Sequence, residues 1–320
     1  LTTATSVNSY STSGKNAMEI ADWRATPVIG PLYKRIRELG LEQNVAELDT
    51  FGFTILPPGK AAPVEFTDRL RERLLEVAER RTGVKHDVES GEHGQLPNSQ
   101  PNFSHQYLLY YLLLEDKVFQ EGATNPYLLA LQTYMLGMDC RLSNAVAFVK
   151  WRDEIGYGET LGLHADNTLK HPISIGHETH TGNSAWVLTD YTEDNGAIAF
   201  VPGSHQKARH PGPGEGVADA IPVEAPAGSL LIWHGNLWHG AYPRKNDGLR
   251  LVMSYYFNRS YLQVQEDYRH TVTPEILADN PKRLAVLLGF GQADGWQSKD
   301  GPDFVEANRI KKEAYQEAGI

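Results

Sequence analysis

Cysteine is almost absent from this chain: Cys140 is the only one among 320 residues. An internal disulfide framework is therefore excluded, and a reducing, cytoplasmic setting is the expectation. Long apolar runs are missing as well. No stretch of about 18 consecutive apolar residues occurs, so no membrane-spanning helix is expected. Positive charge is in deficit, with 30 Lys and Arg against 40 Asp and Glu and a net charge of -10. That balance argues against a protein that grips nucleic acid or an anionic membrane through its overall field. The remainder is an ordinary globular composition, 41% apolar and 22% charged, on a chain long enough to bury a sizeable core. The opening LTTATSVNSYSTSGKN has no charged-then-apolar leader pattern, and residues 1–20 are read as a flexible tail.

The first half carries helical signals. Leu32, Ile36 and Leu39 recur at helical spacing before Gly40, and Leu70, Leu74, Leu75 and Ala78 form a second stripe that Gly83 can cap. Asn125-Pro126 opens a third helix, running to Gly137. Between them, Phe53–Leu56 reads as a short strand stopped by Pro57-Pro58. From about residue 141 to 261 the pattern changes to short β-branched and aromatic stretches between turn residues: NAVAFVKW, LGLHAD, AWVLTDY, AIAFV, SLLIW and RLVMSYYF. Such spacing predicts an antiparallel sandwich or barrel. Two more helices are expected over 274–288 and 305–318. The fold class is α+β, with helices packed outside a β core in one domain over 21–320: a helical part to about 140, the β core to about 261, and a helical C-terminal segment.

In LGLHADNT, His164 and Asp166 are two apart, so a strand there would send both side chains to one face. An imidazole beside a carboxylate is two thirds of a facial triad, the donor set that holds non-haem Fe(II) with positions left open. A third histidine should come from a distant strand. LIWHGNLWHG offers two candidates, His234 and His239. Beyond them Arg250 begins RLVMSYYF, whose alternation puts Val252, Ser254 and Tyr256 on the arginine's face and Leu251, Met253, Tyr255 and Phe257 behind. An arginine aimed into a barrel is costly unless an anion meets it, and a guanidinium matches a carboxylate through two parallel hydrogen bonds.

Together these pieces resemble the phytanoyl-CoA dioxygenase-like branch of Fe(II)/2-oxoglutarate-dependent oxygenases. The likeness runs from LDTFGFTILPP at Leu48 through LGMDCRL, LGLHADN, AWVLTDYTEDNGAIAFVPGSH and WHGAYPRKNDGLR to Tyr256. It implies a double-stranded β-helix, or jelly roll of the cupin kind, buttressed by helices. It also selects between the two histidines. The family's distal ligand precedes a small residue about ten positions ahead of the arginine. His239 has that spacing, eleven from Arg250, and His234 does not. By resemblance His164, Asp166 and His239 hold Fe(II), and Arg250 pairs with the distal carboxylate of 2-oxoglutarate. Trp186, Val146 and Ser254 join the co-substrate pocket. Dioxygen and 2-oxoglutarate are consumed, succinate and CO2 leave, and a small-molecule substrate is hydroxylated. Desaturation, cyclisation or epimerisation would use the same residues, and a jelly-roll protein that only binds a metal or small ligand is the non-enzymatic alternative. Related halogenases carry a small residue in place of the carboxylate, so Asp166 implies oxygen transfer rather than halogenation.

Other residues read as structural. His205 in PGSH belongs to a turn, and His234 to a loop beside Trp233. HETH over His177–His180 has the wrong spacing for a zinc-protease helix, so Lys170–Asn183, with His171, is a solvated loop or lid. Asn167 and Thr168 suit a turn or a contact to the site, Gly91–Asn102 a surface loop, and Arg141 and Lys150 solvated strand-edge charges.

Overall fold

The computed structural model describes residues 29–96, 105–167, 177–296 and 299–319; the expected N-terminal tail, Thr168 and His171 lie outside them. The helical signals of the first half resolve into α1 (Ile29–Glu38), α2 (Glu42–Phe51), α3 (Val64–Thr82) and α5 (Pro126–Leu136), with the short α4 (Lys117–Ala123) before α5. Asn125 opens α5 by accepting hydrogen bonds from the amides of Tyr127 and Leu128. Gly52 ends α2 in the left-handed region at φ 84°, where a Cβ would also lie 2.6 Å from the His205 ring. Two turns therefore meet at a point where only glycine fits. The C-terminal helices are α6 (Tyr268–Thr271), α7 (Pro274–Ala278), α8 (Arg283–Leu287) and α9 (Phe304–Glu317). The single helix expected over 274–288 is two, because Pro281 lies between α7 and α8 and can neither donate the next helical hydrogen bond nor avoid the preceding turn.

The strands are β1 (Phe53–Leu56), β2 (Gln106–Leu109), β3 (Arg141–Lys150), β4 (Thr181–Val187), β5 (Ile198–Phe200), β6 (Ile221–Pro222), β7 (Leu230–His234), β8 (His239–Ala241) and β9 (Arg250–Asn258). They form an antiparallel six-stranded sheet in the order β1-β7-β4-β9-β3-β2 and a three-stranded sheet β6-β5-β8. Both edge strands of the larger sheet, β1 and β2, come from the otherwise helical first part of the chain. LGLHAD is not a strand. His164 makes one isolated bridge to His239, while Leu161 and Gly162 adopt positive φ and turn the segment away.

Alternation along each strand divides the large sheet into two faces. Leu251, Met253, Tyr255 and Phe257 of β9, Ala145, Ala147 and Val149 of β3, and Trp186 of β4 pack against the helices, with Leu70, Phe119, Leu131 and Leu284 in the same apolar cluster. Ala185, Val187, Leu231, Trp233 and Val252 face the other way and pack with Phe200 of the small sheet. The site lies in this second layer, between the sheets. Lys150, expected at a solvated strand edge, is instead fully buried on the inner face, because its strand is covered on both sides; Arg141 is partly buried. Among the described residues no helix is long and apolar enough to cross a membrane.

Candidate metal centre

Backbone hydrogen bonds place the donors. His164 N donates to His239 O and His239 N to His164 O, both at 2.9 Å, and Asp166 N donates to Gly235 O at 2.8 Å. The two segments run so close that a Cβ on Gly240 would sit 2.1 Å from Leu161 O. Only a residue without a side chain lets this clasp close. It brings His164, Asp166 and His239 together with one ligand atom from each within 4.8 Å of the others. The Asp166 Oδ1 atom lies 3.8 Å from His164 Nε2 and 3.5 Å from His239 Nε2. Among the described residues no other group of three or more potential metal ligands meets this criterion.

The orientation of each ring suits a metal. His164 Nδ1 is 2.8 Å from Gly162 O, and His239 Nδ1 is 3.0 Å from Leu237 O. A carbonyl can only accept, so each Nδ1 carries the hydrogen and each Nε2 turns its lone pair to the common centre. His239 is buried, and that burial pushes its pKa down to about 4 against the opposing pull of Asp166, which leaves it neutral and able to ligate at pH 7. Asp166 is held from behind. Asn183 Nδ2 donates to Asp166 Oδ2 at 3.3 Å, and Tyr256 Oη donates to the Asp166 carbonyl at 3.1 Å. The Asn183 amide cannot turn over, since its Oδ1 accepts from Ser254 Oγ at 2.9 Å and Ser184 N at 2.8 Å. Replacing Asn183 by leucine should weaken metal affinity by about 10- to 100-fold. Chelator competition would measure this, and unchanged affinity would remove Asn183 from the centre.

A cavity of about 830 Å³ opens onto this cluster, and Arg250, Val252, Ser254, Tyr256, Val146 and Phe148 supply its sheet wall. Val146 and Ser254 are direct partners across β3 and β9. Arg250 is 3% exposed. Its Nη1 donates to Tyr191 Oη at 3.0 Å, its guanidinium lies over the Tyr191 ring, and its Nε has no hydrogen-bond partner. It forms no ion pair among the described residues. A buried guanidinium with an unused N–H beside an open cavity is a receptor for an anion.

Trp186 does not belong to this pocket. Asn183 and Ala185 face the cavity, so alternation sends Trp186 to the helix side, where its ring packs edge-on to Phe66 at 5.1 Å. Trp186→Ala should cost about 3–5 kcal/mol of stability in urea unfolding and leave co-substrate affinity unchanged. Of the remaining histidines His205 keeps its structural reading, whereas His234, expected in a loop, is the last residue of β7 and pairs with Gly182 of β4. His205 Nε2 donates to Asp49 O at 3.1 Å, and His234 packs on the His205 ring at 5.1 Å. His177 is exposed, and His180 meets Tyr261 Oη. Asn167 bonds Asn236 and accepts from Thr181 Oγ1 at 2.9 Å, which ties it to β4 and to the turn after β7. The sequence reading had no role for Tyr191, His210 or Trp233, and it ended a solvated loop at Asn183, whereas residues 181–183 open β4 with Thr181 and Gly182 buried. His210 Nε2 donates to Asn167 O at 2.7 Å and lines the cavity, so it braces the Asp166 loop. A polar residue within the apolar run GNSAWV was the one signal available for Asn183.

Comparison with known proteins gives the family and the fold. The family model for phytanoyl-CoA dioxygenase (PhyH) matches residues 48–252, more than half of the chain. The chain is 33% identical to the uncharacterized protein Rv1501 of Mycobacterium tuberculosis over 108 residues, 34% of this chain and 40% of that one. It is 27% identical to the dioxygenase af480 of Aspergillus fumigatus over 193 residues, 57% of this chain and 59% of that one. The matched region is thus only about two to three fifths of these curated relatives' own lengths. Among solved structures, HygX of Streptomyces hygroscopicus with nickel and 2-oxoglutarate bound aligns with TM-score 0.53 and 19% identity, covering 70% of this chain and 89% of HygX. The 2-oxoglutarate-dependent epimerase SnoN of nogalamycin biosynthesis aligns with TM-score 0.51 and 19% identity, covering 74% and 90%. These likenesses place the fold with that of 2-oxoglutarate-dependent oxygenases.

Proposed function

This chain belongs to the phytanoyl-CoA dioxygenase family of Fe(II)/2-oxoglutarate-dependent enzymes, and from that premise we propose that it hydroxylates a small organic molecule. The supporting observation is one cavity that joins a complete His164, Asp166 and His239 donor set to a buried arginine with no ion partner among the described residues. We read the two sheets as a double-stranded β-helix, and 21–320 as one domain. The apolar cluster that Ile36, Leu70, Met253 and Leu284 share supports the domain reading.

Iron held by the three side chains would supply the oxidising chemistry, with dioxygen reduced as 2-oxoglutarate is decarboxylated to succinate and CO2. The protein's own part is placement. Arg250 receives the remote carboxylate of the co-substrate, so the other end of that molecule is directed toward the metal centre. Phe148, Ile198, Trp233 and Val252 give the cavity apolar walls that exclude water. Asn183 and Tyr256 fix Asp166 against the load of a bound cation. Arg250 is the one Lys or Arg among the described wall residues, so a substrate sharing the cavity meets mainly aromatic and amide groups. We therefore favour a small molecule of low charge over nucleic acid or a polyanion.

SnoN is described as an epimerase and SnoK as a carbocyclase, so a second outcome at the same residues has a specific basis. Succinate release from 2-oxoglutarate with Fe(II) and ascorbate, combined with product mass, separates the readings. A gain of one oxygen supports hydroxylation, a loss of two hydrogens desaturation or ring closure, and an unchanged mass epimerisation. No succinate with any member of a broad substrate panel would favour a binding protein without turnover.

A further inference from the structure

We propose that Lys150, buried directly opposite Arg250 on the neighbouring strand though outside the cavity lining, takes up a proton as the co-substrate's remote carboxylate docks on Arg250. The proposal rests on the co-substrate reading above. Gln106, Lys150 and Arg250 are successive partners across β2, β3 and β9, so they form one row on the inner face of the sheet. Two cations directly opposite each other on adjacent strands repel, and burial strengthens that repulsion. Lys150 is fully buried. An ammonium carries three N–H donors, yet among the described residues the Lys150 Nζ has one hydrogen bond, to Tyr242 O at 2.6 Å. A Cβ placed on Gly196 would lie 3.1 Å from that Nζ and 3.2 Å from Arg244 Cβ, so the amine is packed in place beside a further arginine.

The groups around the amine come from several elements. Arg250 lies on β9, Arg244 follows β8, His105 precedes β2, and Asp153 follows β3 as the one carboxylate that acts on it. Burial first, and then the charge of Arg250, push the Lys150 pKa down to about 6. At pH 8 the free protein therefore holds a neutral amine, which relieves Arg250 of a like charge. An arriving carboxylate reverses the local balance. It favours the ammonium, and a proton comes from solvent to complete it. No covalent bond changes. Binding is then linked to proton uptake, and the dissociation constant for 2-oxoglutarate rises with pH above about 6, by at most tenfold per unit.

The test is calorimetric titration of the full chain, nickel-loaded and with 2-oxoglutarate as probe, at pH 8 in two buffers of different ionisation enthalpy. Wild type should take up between about half a proton and one proton per site. The same keto acid without its remote carboxylate, 2-oxopentanoate, should take up almost none, and neither should Lys150→Met titrated with 2-oxoglutarate. A wild-type heat that does not depend on buffer overturns the proposal, as does equal uptake by K150M. Should K150M fail to fold, the wild-type pH series decides alone: a dissociation constant flat between pH 6 and 8 overturns it. Absence of any 2-oxoglutarate binding would instead overturn the co-substrate reading on which the proposal stands.

Discussion

His239→Ala should abolish metal-dependent turnover, lowering kcat/KM by at least about a thousandfold, roughly 4 kcal/mol of lost transition-state stabilisation. The size of the effect follows from position. His239 is the buried member of the donor set, whereas His164 stands half in the open cavity. Its main chain, not its side chain, makes the paired hydrogen bonds to His164, so alanine leaves the clasp intact and removes only the imidazole. Metal content by mass spectrometry and succinate release should therefore fall together while the circular dichroism spectrum stays native. His234→Ala is the matched control. That ring lies on His205 and its Nδ1 accepts from Asn236 N at 3.1 Å, so its loss should spare the metal. Should H234A lose the ion and H239A keep it, the choice between these two histidines is wrong.

Arg250→Ala separates the co-substrate from the metal. Charge-assisted hydrogen bonds contribute about 1.5–3 kcal/mol each, so the loss of a two-pronged contact should raise the KM for 2-oxoglutarate by about a hundredfold or more. Iron affinity should change little, since the guanidinium's hydrogen bond among the described residues goes to Tyr191 and none goes to the donor set. Arg250→Lys should recover only part of the loss, because one ammonium cannot reproduce the planar fork over Tyr191. An unchanged KM, or loss of the metal, would remove Arg250 from this role.

The convergence of His164, Asp166 and His239 was legible because a metal donor set would constrain sequence tightly. His-x-Asp and the eleven-residue step from His239 to Arg250 survive as local patterns, although the first proved to be a bridge and turn rather than a strand. The position of Val146 and Ser254 on the cavity wall was legible for a different reason. Period two ties them to Arg250's face and to each other, and Arg250 has to face the interior. Trp186 marks the limit of that logic. Alternation separates a strand's faces but does not say which face a large apolar side chain occupies, and here the helices took it. Lys150 was misread because a charge at a strand end is ordinarily solvated, and nothing local announces that another sheet covers it. Asn183 was invisible because its partner Asp166 lies 17 residues back in the sequence, with no local pattern that links the two. Pro281, by contrast, is a local breaker whose effect on the expected 274–288 helix could have been read directly.

The reciprocal backbone hydrogen bonds between His164 and His239 set the two rings side by side, 4.3 Å between centroids, and they engage no side-chain atom of either residue. Main-chain bonds of this kind lie beyond a chelator's reach, so removal and return of a metal ion should leave the two segments joined, and loosening of the centre should begin at the His164 imidazole, which hangs from a loop.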